Sequence, residues 1–343
     1  MKSTTIAIIA VVLIAAIVLL VPGGPGAELI GTTGVSHPAN TEPVTLGMES
    51  NQVNSLIIIA DDRGFFTANG LNVTIRNYPS GAAAVAGMMN GESDIATAAE
   101  FVLVGKALEH APVRTFASVD RFQQIHIVGR SDRGIVNISD LRGKRIGVPQ
   151  KTAGEFYLGR FLLLHGMGMQ DIVSVNVPPQ QSFDAIVNGS VDAVVAWQPN
   201  VRNIEDRING TADWPLQNGQ PAYCIAVATD NWTTMHPASI TRFLTAVREA
   251  ETYAVNNPRD AREIIRKRLN YDDAFMGAIW QEHQFSLTLD QSLVLAMEDE
   301  ARWMIANNLT SEKAVPDFRK EIYTRGLEEI EPGAVNIVGE AGS

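Results

Sequence analysis

The sequence contains almost no cysteine, since Cys224 is the single one among 343 residues. A lone cysteine excludes an intrachain disulfide framework, a cysteine-based zinc site and an iron–sulfur cluster. Blocks of basic residues are also missing, and the formal net charge is −11, so no binding surface for nucleic acid is expected. A chain of this length with 45% hydrophobic and 19% charged residues predicts two ordinary lobes that are stabilised by packing.

Familiar catalytic and nucleotide-binding signatures are missing as well. Neither G-x-S-x-G nor H-E-x-x-H occurs, and the histidines are dispersed, so we predict no catalytic residue, no metal site and no cofactor. Residues 146–155 read IGVPQKTAGE, in which Gln150 stands where a phosphate-binding P-loop needs glycine. Pro149 also removes a backbone N–H from that loop. Nucleotide hydrolysis is therefore not expected.

The one long apolar run, residues 6–21, lies at the N-terminus between Lys2 and Pro22. It predicts an export signal or an anchor helix over residues 1–22, and its length leaves cleavage and membrane anchoring both open. Residues 23–43 are rich in Gly, Pro, Ser and Thr and predict a flexible linker. Six Asn-x-Ser/Thr sequons agree weakly with an extracytoplasmic location. They begin at Asn72, Asn137, Asn188, Asn209, Asn231 and Asn308.

From residue 44 onward, short apolar runs alternate with helical patterns, which predicts an α/β fold with mainly parallel sheets. The predicted strands are 44–48, 71–78, 93–98, 113–119, 144–149, 172–178 and 191–197. The predicted helices include 55–66, 81–90 and 236–257.

Two stretches of the chain echo each other. GMMNGESDIATAAEF (87–101) and AIVNGSVDAVVAWQP (185–199) both end a helix with Asn-Gly, place Asp three residues after the Gly, and continue as an apolar strand. Asn and Gly tolerate positive φ and so stop a helix. A single copy could be any helix-to-strand turn, whereas two copies favour two lobes of like topology.

The loops after the predicted strands define the predicted ligand site, because ligands of open parallel sheets bind beyond the carboxyl ends of the strands, near helix N-termini. In the first lobe these residues are Glu49, Ser50, Asn51, Ser80, Gly81, Thr97, Ala98 and Glu100. In the second lobe they are Lys151, Thr152, Ala153, Trp197 and Gln198. An alternative for Glu100 and Glu155 is a helix-dipole role in a first turn. Trp197 is predicted to stack on the ligand, with a core position as the alternative.

The runs 137–167 (NISDLRGKRIGVPQKTAGEFYLGRFLLLHGM) and 180–200 (QQSFDAIVNGSVDAVVAWQPN) resemble the second lobe of extracytoplasmic solute-binding proteins of ABC importers. The similar group is the nitrate, sulfonate and taurine type, also called NMT1/THI5-like. ADDRGFFTANGLNVTI, GMMNGESDIATA and EPGAV fit the same pattern, so that the resemblance covers about residues 44–339.

This resemblance implies the type II periplasmic-binding-protein fold, with two α/β lobes joined by two crossing strands and a helical C-terminal part. Lobe 1 would comprise residues 44–125 and 224–339, and lobe 2 residues 126–223. The crossings would lie near residues 123–130 and 222–230. Tyr223, on the return crossing, is a further ligand-binding candidate, with hinge packing as the alternative.

The function implied is that of a monomeric receptor that delivers a small solute to the permease and ATPase subunits of an ABC importer. The receptor would be either tethered to the membrane by its N-terminal helix or secreted. The solute would be a sulfonate, nitrate, taurine or a related zwitterion. The carboxyl groups of Glu49 and Glu100, together with Lys151 where sulfonate-binding relatives commonly carry small residues, favour a zwitterion or a polar heterocycle over a simple anion. A pyrimidine or thiamine precursor is the alternative solute. The alternative classes are an enzyme on this fold that acts on a pyrimidine precursor and an extracytoplasmic sensor.

Overall fold

Two β-sheets and their connecting helices form residues 41–339, the part of the chain that this computed structural model describes. The strands are β1 (Glu42–Glu49), β2 (Leu71–Tyr78), β3 (Ile95–Ala99), β4 (Val113–Phe122), β5 (Ile125–Arg130), β6 (Arg145–Val148), β7 (Val173–Asn176), β8 (Ala193–Trp197), β9 (Thr211–Pro215), β10 (Ala222–Thr229), β11 (His283–Asp290) and β12 (Val335–Asn336).

The helices alternate with these strands in the first two thirds of the chain and dominate the last third. They are α1 (Ser55–Asp62), α2 (Phe65–Ala68), α3 (Gly81–Met89), α4 (Glu100–Leu108), α5 (Ala153–Leu164), α6 (Ser182–Val187), α7 (Asn200–Arg207), α8 (Asp230–Met235), α9 (Pro237–Asn256), α10 (Pro258–Leu269), α11 (Asp273–Ile279), α12 (Gln291–Ala306) and α13 (Arg325–Ile330). Within residues 41–339, none of these helices has the length and apolar character of a membrane span. The predicted signal or anchor helix and most of the predicted linker lie outside the described residues.

The sheets are mixed, so the prediction of mainly parallel sheets is wrong. The first sheet has the order β12-β11-β4-β10-β3-β1-β2, and the second has the order β7-β6-β8-β5-β9. Parallel pairs join β1 to β2 and β3, β6 to β7 and β8, and β11 to β12. The strands β5 and β10 pair antiparallel with both of their neighbours. The physical reason is that these two strands enter their sheet from the other lobe and therefore run against the β-α-β units.

The chain passes from one sheet to the other twice. Gln123 and Gln124 alone separate β4 of the first sheet from β5 of the second, and the return runs between β9 and β10. Gln217 connects the two passages, because its side chain donates to the Phe122 carbonyl at 2.7 Å and accepts from the Ile125 N–H at 2.9 Å. The second sheet thus begins at Ile125 and the first resumes at Ala222, within two residues of the predicted lobe limits.

The echoed stretches occupy equivalent places in the two lobes. Gly91 and Gly189, which follow α3 and α6, adopt φ of +77° and +79°, a left-handed conformation in which glycine is favoured. The carboxylate of Asp94 accepts the N–H of Thr45 in β1 at 2.7 Å, and that of Asp192 accepts the N–H of Arg145 in β6 at 3.0 Å. Each Asp therefore ties the start of its strand to the neighbouring parallel strand, in the same way in both lobes.

Strand β11 interrupts the part of the chain that was predicted to be helical. It pairs antiparallel with β4, and its residues Leu287 and Leu289 are fully buried. Its sequence, HQFSLTLD, alternates polar and apolar residues with the period of a half-buried strand. That alternation was a usable signal for a strand within a region of helical patterns.

Candidate functional site

A cleft lies between the two lobes and encloses about 580 Å³ of space outside the protein atoms, including some that is open to solvent. Its wall combines residues from both sheets and from the first passage between them. These residues are Glu49, Asn51, Val53, Asn54, Ser80, Gly81, Ala82, Thr97, Ala98, Ala99, Val102, Phe122, Gln124, Ile125, Thr152, Ala153, Gly154, Trp197 and Cys224.

Most of the residues predicted for the site line this cleft. They are Glu49, Asn51, Ser80, Gly81, Thr97, Ala98, Thr152, Ala153 and Trp197. Ser50, Glu100, Lys151, Gln198 and Tyr223 are not among the lining residues. The loops that follow β1, β2 and β6 thus converge with the carboxyl ends of β3 and β8, as expected for strands in α/β lobes.

Two helices begin at the cleft, one in each lobe. Helix α3 starts at Gly81 and helix α5 starts at Ala153, so the N–H groups of their first turns have no partner within the helix. A Cβ on Gly81 would lie 2.7 Å from the Cα of Ala98, and a Cβ on Gly154 would lie 3.0 Å from Cγ1 of Val195. Glycine therefore permits both first turns to approach the strands closely. The positive ends of the two helix dipoles favour a negative or acceptor group in the cleft.

A hydrogen bond joins the lobes across the cleft. The indole Nε1–H of Trp197, at the end of β8, donates to Oε1 of Glu49, at the end of β1, at 3.0 Å. Protein atoms surround the Glu49 carboxyl, and this burial raises its pKa to about 7, although hydrogen bonds from Trp197 and Asn51 act in the opposite direction. Glu49 can therefore be neutral or ionised near neutral pH.

The remaining polar atoms of the cleft wall are neutral. Asn51 Oδ1 and Thr97 Oγ1 are buried, and neither has a hydrogen-bond partner within the described part of the chain. Ser80 caps α3, because its Oγ accepts the N–H of Ala83 at 3.2 Å. Among the described residues that line the cleft there is no Lys, Arg or His. The positive potential in the cleft therefore comes from backbone N–H groups.

Lys151 and Glu100 were predicted for the site but do not line the cleft. Lys151 lies in the loop before α5, and Glu100 is the first residue of α4. Lys151 is exposed and adopts φ of +60°, and its backbone N–H donates to the carboxylate of Glu155 at 2.9 Å. That bond holds the loop against the first turn of α5. The carboxylate of Glu100 accepts the N–H of Tyr223 at 2.9 Å in the protein interior. The Glu100 carboxyl group is therefore bound within the protein, whereas only the backbone of Lys151 is held and its side chain is exposed.

The other three have structural contacts or lie at the surface. The Tyr223 hydroxyl donates to Ser292 Oγ at 2.8 Å, and the Tyr223 ring lies 5.3 Å below the guanidinium of Arg121. Gln198 Oε1 accepts the N–H of Arg202 at 3.4 Å in the first turn of α7. Ser50 is exposed.

Sequence reasoning missed several residues of the cleft wall. Phe122, Gln124 and Ile125 come from the first passage between the lobes, and the predicted crossing near residues 123–130 was a signal that could have included them. Cys224 was missed because it stands within a buried strand. Its thiol donates to Asn54 Oδ1 at 3.7 Å, and burial raises its pKa well above the usual range, so the thiol stays neutral.

Two α/β lobes joined by two passages of the chain, with a cleft at facing helix N-termini, define the type II periplasmic-binding-protein fold. The alkanesulfonate-binding protein SsuA of Xanthomonas axonopodis pv. citri, solved with MOPS bound, matches with a TM-score of 0.74 at 15% identity, over 84% of this chain and 100% of that one. SsuA of Escherichia coli matches with a TM-score of 0.69 at 15% identity, over 83% of this chain and 98% of that one. The predicted fold class is confirmed.

The chain belongs to the NMT1/THI5-like family, because the sequence model of that family matches residues 51–261. A protein of Brucella abortus named as a binding protein is 26% identical over 249 residues, which cover 69% of this chain and 74% of that protein. The taurine-binding periplasmic protein of Escherichia coli is 23% identical over 231 residues, which cover 65% of this chain and 70% of that protein.

Enzymes also occur among the similar proteins. A 4-amino-5-hydroxymethyl-2-methylpyrimidine phosphate synthase of Uromyces fabae is 24% identical over 240 residues, which cover 63% of this chain and 67% of that protein. The desulfurization enzyme DSZB matches with a TM-score of 0.62 at 16% identity, over 84% of this chain and 98% of that one. The fold alone therefore does not separate binding from catalysis.

Proposed function

We propose that the protein is the extracytoplasmic solute-binding receptor of an ABC importer and binds one small polar solute between its lobes. The observation that carries this proposal is the cleft whose wall is shared by both lobes and bridged by the Trp197–Glu49 hydrogen bond at 3.0 Å. A solute that contacts both walls binds the closed arrangement better than an open one and so shifts the population towards closure. The permease would then recognise the closed form.

The chemistry of the cleft favours a solute with an acceptor group at one end and a donor group at the other. The first turns of α3 and α5 would hold a sulfonate, carboxylate or ring acceptor through backbone N–H groups. Glu49 would accept an N–H from an amine or a heterocycle. Asn51 Oδ1 and Thr97 Oγ1 add polar atoms that have no hydrogen-bond partner within residues 41–339. A taurine-like zwitterion and an aminopyrimidine meet both requirements, whereas nitrate meets only the first.

Trp197 would form the flat face against which the solute packs. Its ring remains only partly buried, and its indole N–H is fixed by Glu49, so its orientation is set before a solute arrives. A pre-oriented aromatic ring loses little conformational entropy on binding. For a solute of about seven heavy atoms, the limit of roughly −1.5 kcal/mol per atom allows micromolar or tighter binding.

The relatives named as binding proteins support a non-catalytic role. The chemistry of the cleft agrees, because the one cysteine that lines it has a neutral thiol and is a poor nucleophile. We further propose that the receptor works as a monomer, is exported through its N-terminal segment and stays near the membrane. Catalysis would be revealed by turnover of a bound pyrimidine or sulfinate by the purified protein, and we expect none.

The test is a thermal-shift screen followed by calorimetry on the described body of the protein, residues 41–339. The panel contains nitrate, taurine, alkanesulfonates and aminopyrimidines. We expect a solute with both donor and acceptor ends to raise the melting temperature, because binding to the native state stabilises it. Trp197→Ala should weaken binding of that solute by about 100-fold, corresponding to roughly 3 kcal/mol for an aromatic anchor.

Two further variants make the screen specific. Trp232→Phe is the matched control, since Trp232 packs on His236 at 5.1 Å and is not among the residues of the cleft wall. It should bind as the wild type does. Ser80→Ala should weaken binding and also lower stability by about 1 kcal/mol through loss of the α3 cap. Wild-type affinity in both Trp197→Ala and Ser80→Ala would refute the proposed site.

A further inference from the structure

A second buried polar cluster lies outside the cleft wall, where α4 and α12 of the first lobe meet α5 of the second. Glu100 is the first residue of α4, Glu300 lies in α12 and Tyr157 lies in α5. Each of the three is fully buried. None of the three is among the residues that line the cleft. The cluster therefore has no part in the proposed solute site.

Aromatic packing next to this cluster holds the three helices together. The rings of Phe101 in α4 and Phe156 in α5 are 6.0 Å apart, and Phe156 meets Trp303 of α12 edge to face at 5.6 Å. Trp303 also packs on Gly159, where a Cβ would lie only 2.6 Å from Cζ2 of the indole. The buried acids thus lie within a direct contact between the lobes.

The cluster contains more buried polar atoms than the protein satisfies. Both carboxyl oxygens of Glu300 and Oε1 of Glu100 are buried, and they have no hydrogen-bond partner within residues 41–339. The Tyr157 hydroxyl is buried beside them, and Gln217 is the nearby polar side chain that acts on it. Two ionised carboxylates, of which only Glu100 accepts a hydrogen bond through one oxygen, would be very costly in such an interior. A bound proton removes one of these charges and also supplies a hydrogen-bond donor.

The charged and titratable groups around the pair do not neutralise it. Arg160 of α5 faces the cluster from the second lobe, but its guanidinium forms an ion pair with Asp299 at 3.2 Å. Asp299 adds negative charge next to Glu300, and the Cys224 thiol beside Glu100 stays neutral. The Tyr157 phenol also stays neutral, because burial and then the two carboxyl groups raise its pKa.

Burial dominates the titration of both acids. It raises the pKa of Glu100 to about 8, opposed by backbone hydrogen bonds that include the one from Tyr223. It also raises the pKa of Glu300 well above the usual range, and the charges of Glu100 and Asp299 act in the same direction. Each carboxyl group therefore favours its protonated form at neutral pH.

We propose that Glu100 and Glu300 form a proton-binding site between the lobes, which retains at least one proton at neutral pH and loosens the contact of α5 with α4 and α12 when it is emptied. Proton loss leaves two negative charges in a buried contact, where the guanidinium of Arg160, which faces the cluster, is already paired with Asp299. Their repulsion and desolvation are relieved only when the helices separate enough to admit water.

The sign of the pH dependence follows from linkage. The unfolded chain releases the proton of a glutamate near its ordinary pKa of 4.5, whereas folded Glu100 retains its proton up to about pH 8. The folded state then binds more protons across this window, so the contribution of Glu100 to stability falls as the pH rises from 4.5 to about 8. The contribution of Glu300 also falls as the pH rises above 4.5, because its pKa in the folded state is raised well above the usual range.

The test compares the wild type with Glu300→Gln, which mimics the neutral acid. Glu298→Gln is the matched control, because Glu298 is on the same helix and pairs at the surface with Arg302. Infrared difference spectra of wild type minus Glu300→Gln at pH 6.5 should show the C=O stretching band of a protonated carboxylic acid. The melting temperature of Glu300→Gln minus that of the wild type should increase with rising pH, by about 1–3 °C per pH unit between pH 5 and pH 8. Glu298→Gln should follow the wild type.

Two outcomes would overturn the proposal. The first is the absence of a protonated-acid band together with parallel melting curves, which would mean that the pair is ionised and solvated. The second is recovery of wild-type stability at pH 8.5 by Na⁺, K⁺ or Ca²⁺ but not by choline, which would identify a cation site instead. Should Glu300→Gln fail to fold, Glu100→Gln retains the acceptor for Tyr223 and provides the same two measurements.

Discussion

The two lobes meet in two chemically different places, at the cleft and at the contact of α4, α5 and α12. Both contain glutamates with a raised pKa. In the cleft, Glu49 accepts a hydrogen bond from Trp197 of the opposite lobe and borders open space. In the helix contact, Glu300 has no partner among the described residues, and aromatic rings pack nearby. The difference is that the cleft contains open space between the lobes, whereas side chains of α4, α5 and α12 fill the helix contact.

This comparison also distinguishes two tryptophans. Trp197 donates its N–H across the cleft and leaves a ring face for a solute. Trp303 uses its ring to pack on Phe156 and Gly159. A large effect on solute affinity is therefore expected at the first position, and a large effect on stability at the second.

Trp303→Ala would break the helix contact most severely. We expect a loss of about 3 kcal/mol in the free energy of unfolding, because removal of a large aromatic side chain leaves a cavity against Phe101 and Phe156. Urea denaturation would measure it. Trp232→Phe serves again as the control, and an unchanged denaturation midpoint for Trp303→Ala would contradict the view that this contact holds the lobes together.

Gly159→Ala would test the closeness of the same contact from the other side. The added methyl would lie 2.6 Å from Trp303, so α5 and α12 must separate. We expect a destabilisation of about 2 kcal/mol, as for overpacking of a core. Gly277→Ala is the control, since Gly277 in α11 has open space around it. Equal melting temperatures of the two variants would show that the contact adjusts without cost.

Glu49→Gln would sharpen the comparison through pH. Burial raises the pKa of Glu49 to about 7, so its protonated form stabilises the folded state, and this contribution falls as the pH rises from 4.5 to 7. The variant should become more stable than the wild type across that window by about 1 kcal/mol, a reduced value because solvent enters the cleft. Melting curves at each pH would measure this, and a constant difference would contradict the raised pKa.

Lys151→Ala should have the smallest effect, although the sequence places this lysine in the predicted site. Its side chain is exposed, and the loop is held by its backbone N–H, which alanine retains. We expect solute affinity within a factor of about 2 of the wild type and stability within about 0.5 kcal/mol. Calorimetry with the solute found in the screen would decide, and a tenfold loss of affinity would bring Lys151 back into the site.

Much of the fold could be predicted because it depends on local patterns. The runs LNVTIRNY and GAAAVAGMM form β2 and α3 where their apolar periods predict a strand and a helix. The Asn-Gly stops and the following Asp residues recur in both lobes with the same hydrogen bonds. Strand direction in the sheets was not predictable in this way, because β5 and β10 pair with strands that are distant in sequence.

The site was only partly predictable for a related reason. Glu49, Ser80, Thr152 and Trp197, which end strands or follow them, line one cleft. Their contact with a solute stays a prediction. Glu100 is one residue beyond such a strand, yet its carboxyl turns towards Tyr223 in the interior. That direction depends on the backbone of the returning strand, which no local pattern around Glu100 reveals.

Three features followed from the sequence by itself: a single cysteine, which excludes an intrachain disulfide, the repeated helix-stop-strand pattern, and the resemblance that implied two lobes. These properties reside in neighbouring residues, whose conformational preferences act over a few positions. Only the tertiary structure decided which acids border the cleft and which are enclosed between helices. Burial is a property of the whole packing, and no local sequence pattern specifies it. A carboxyl group between α4, α5 and α12 has lost its contact with water, whereas one at the surface has not, and this desolvation changes its pKa.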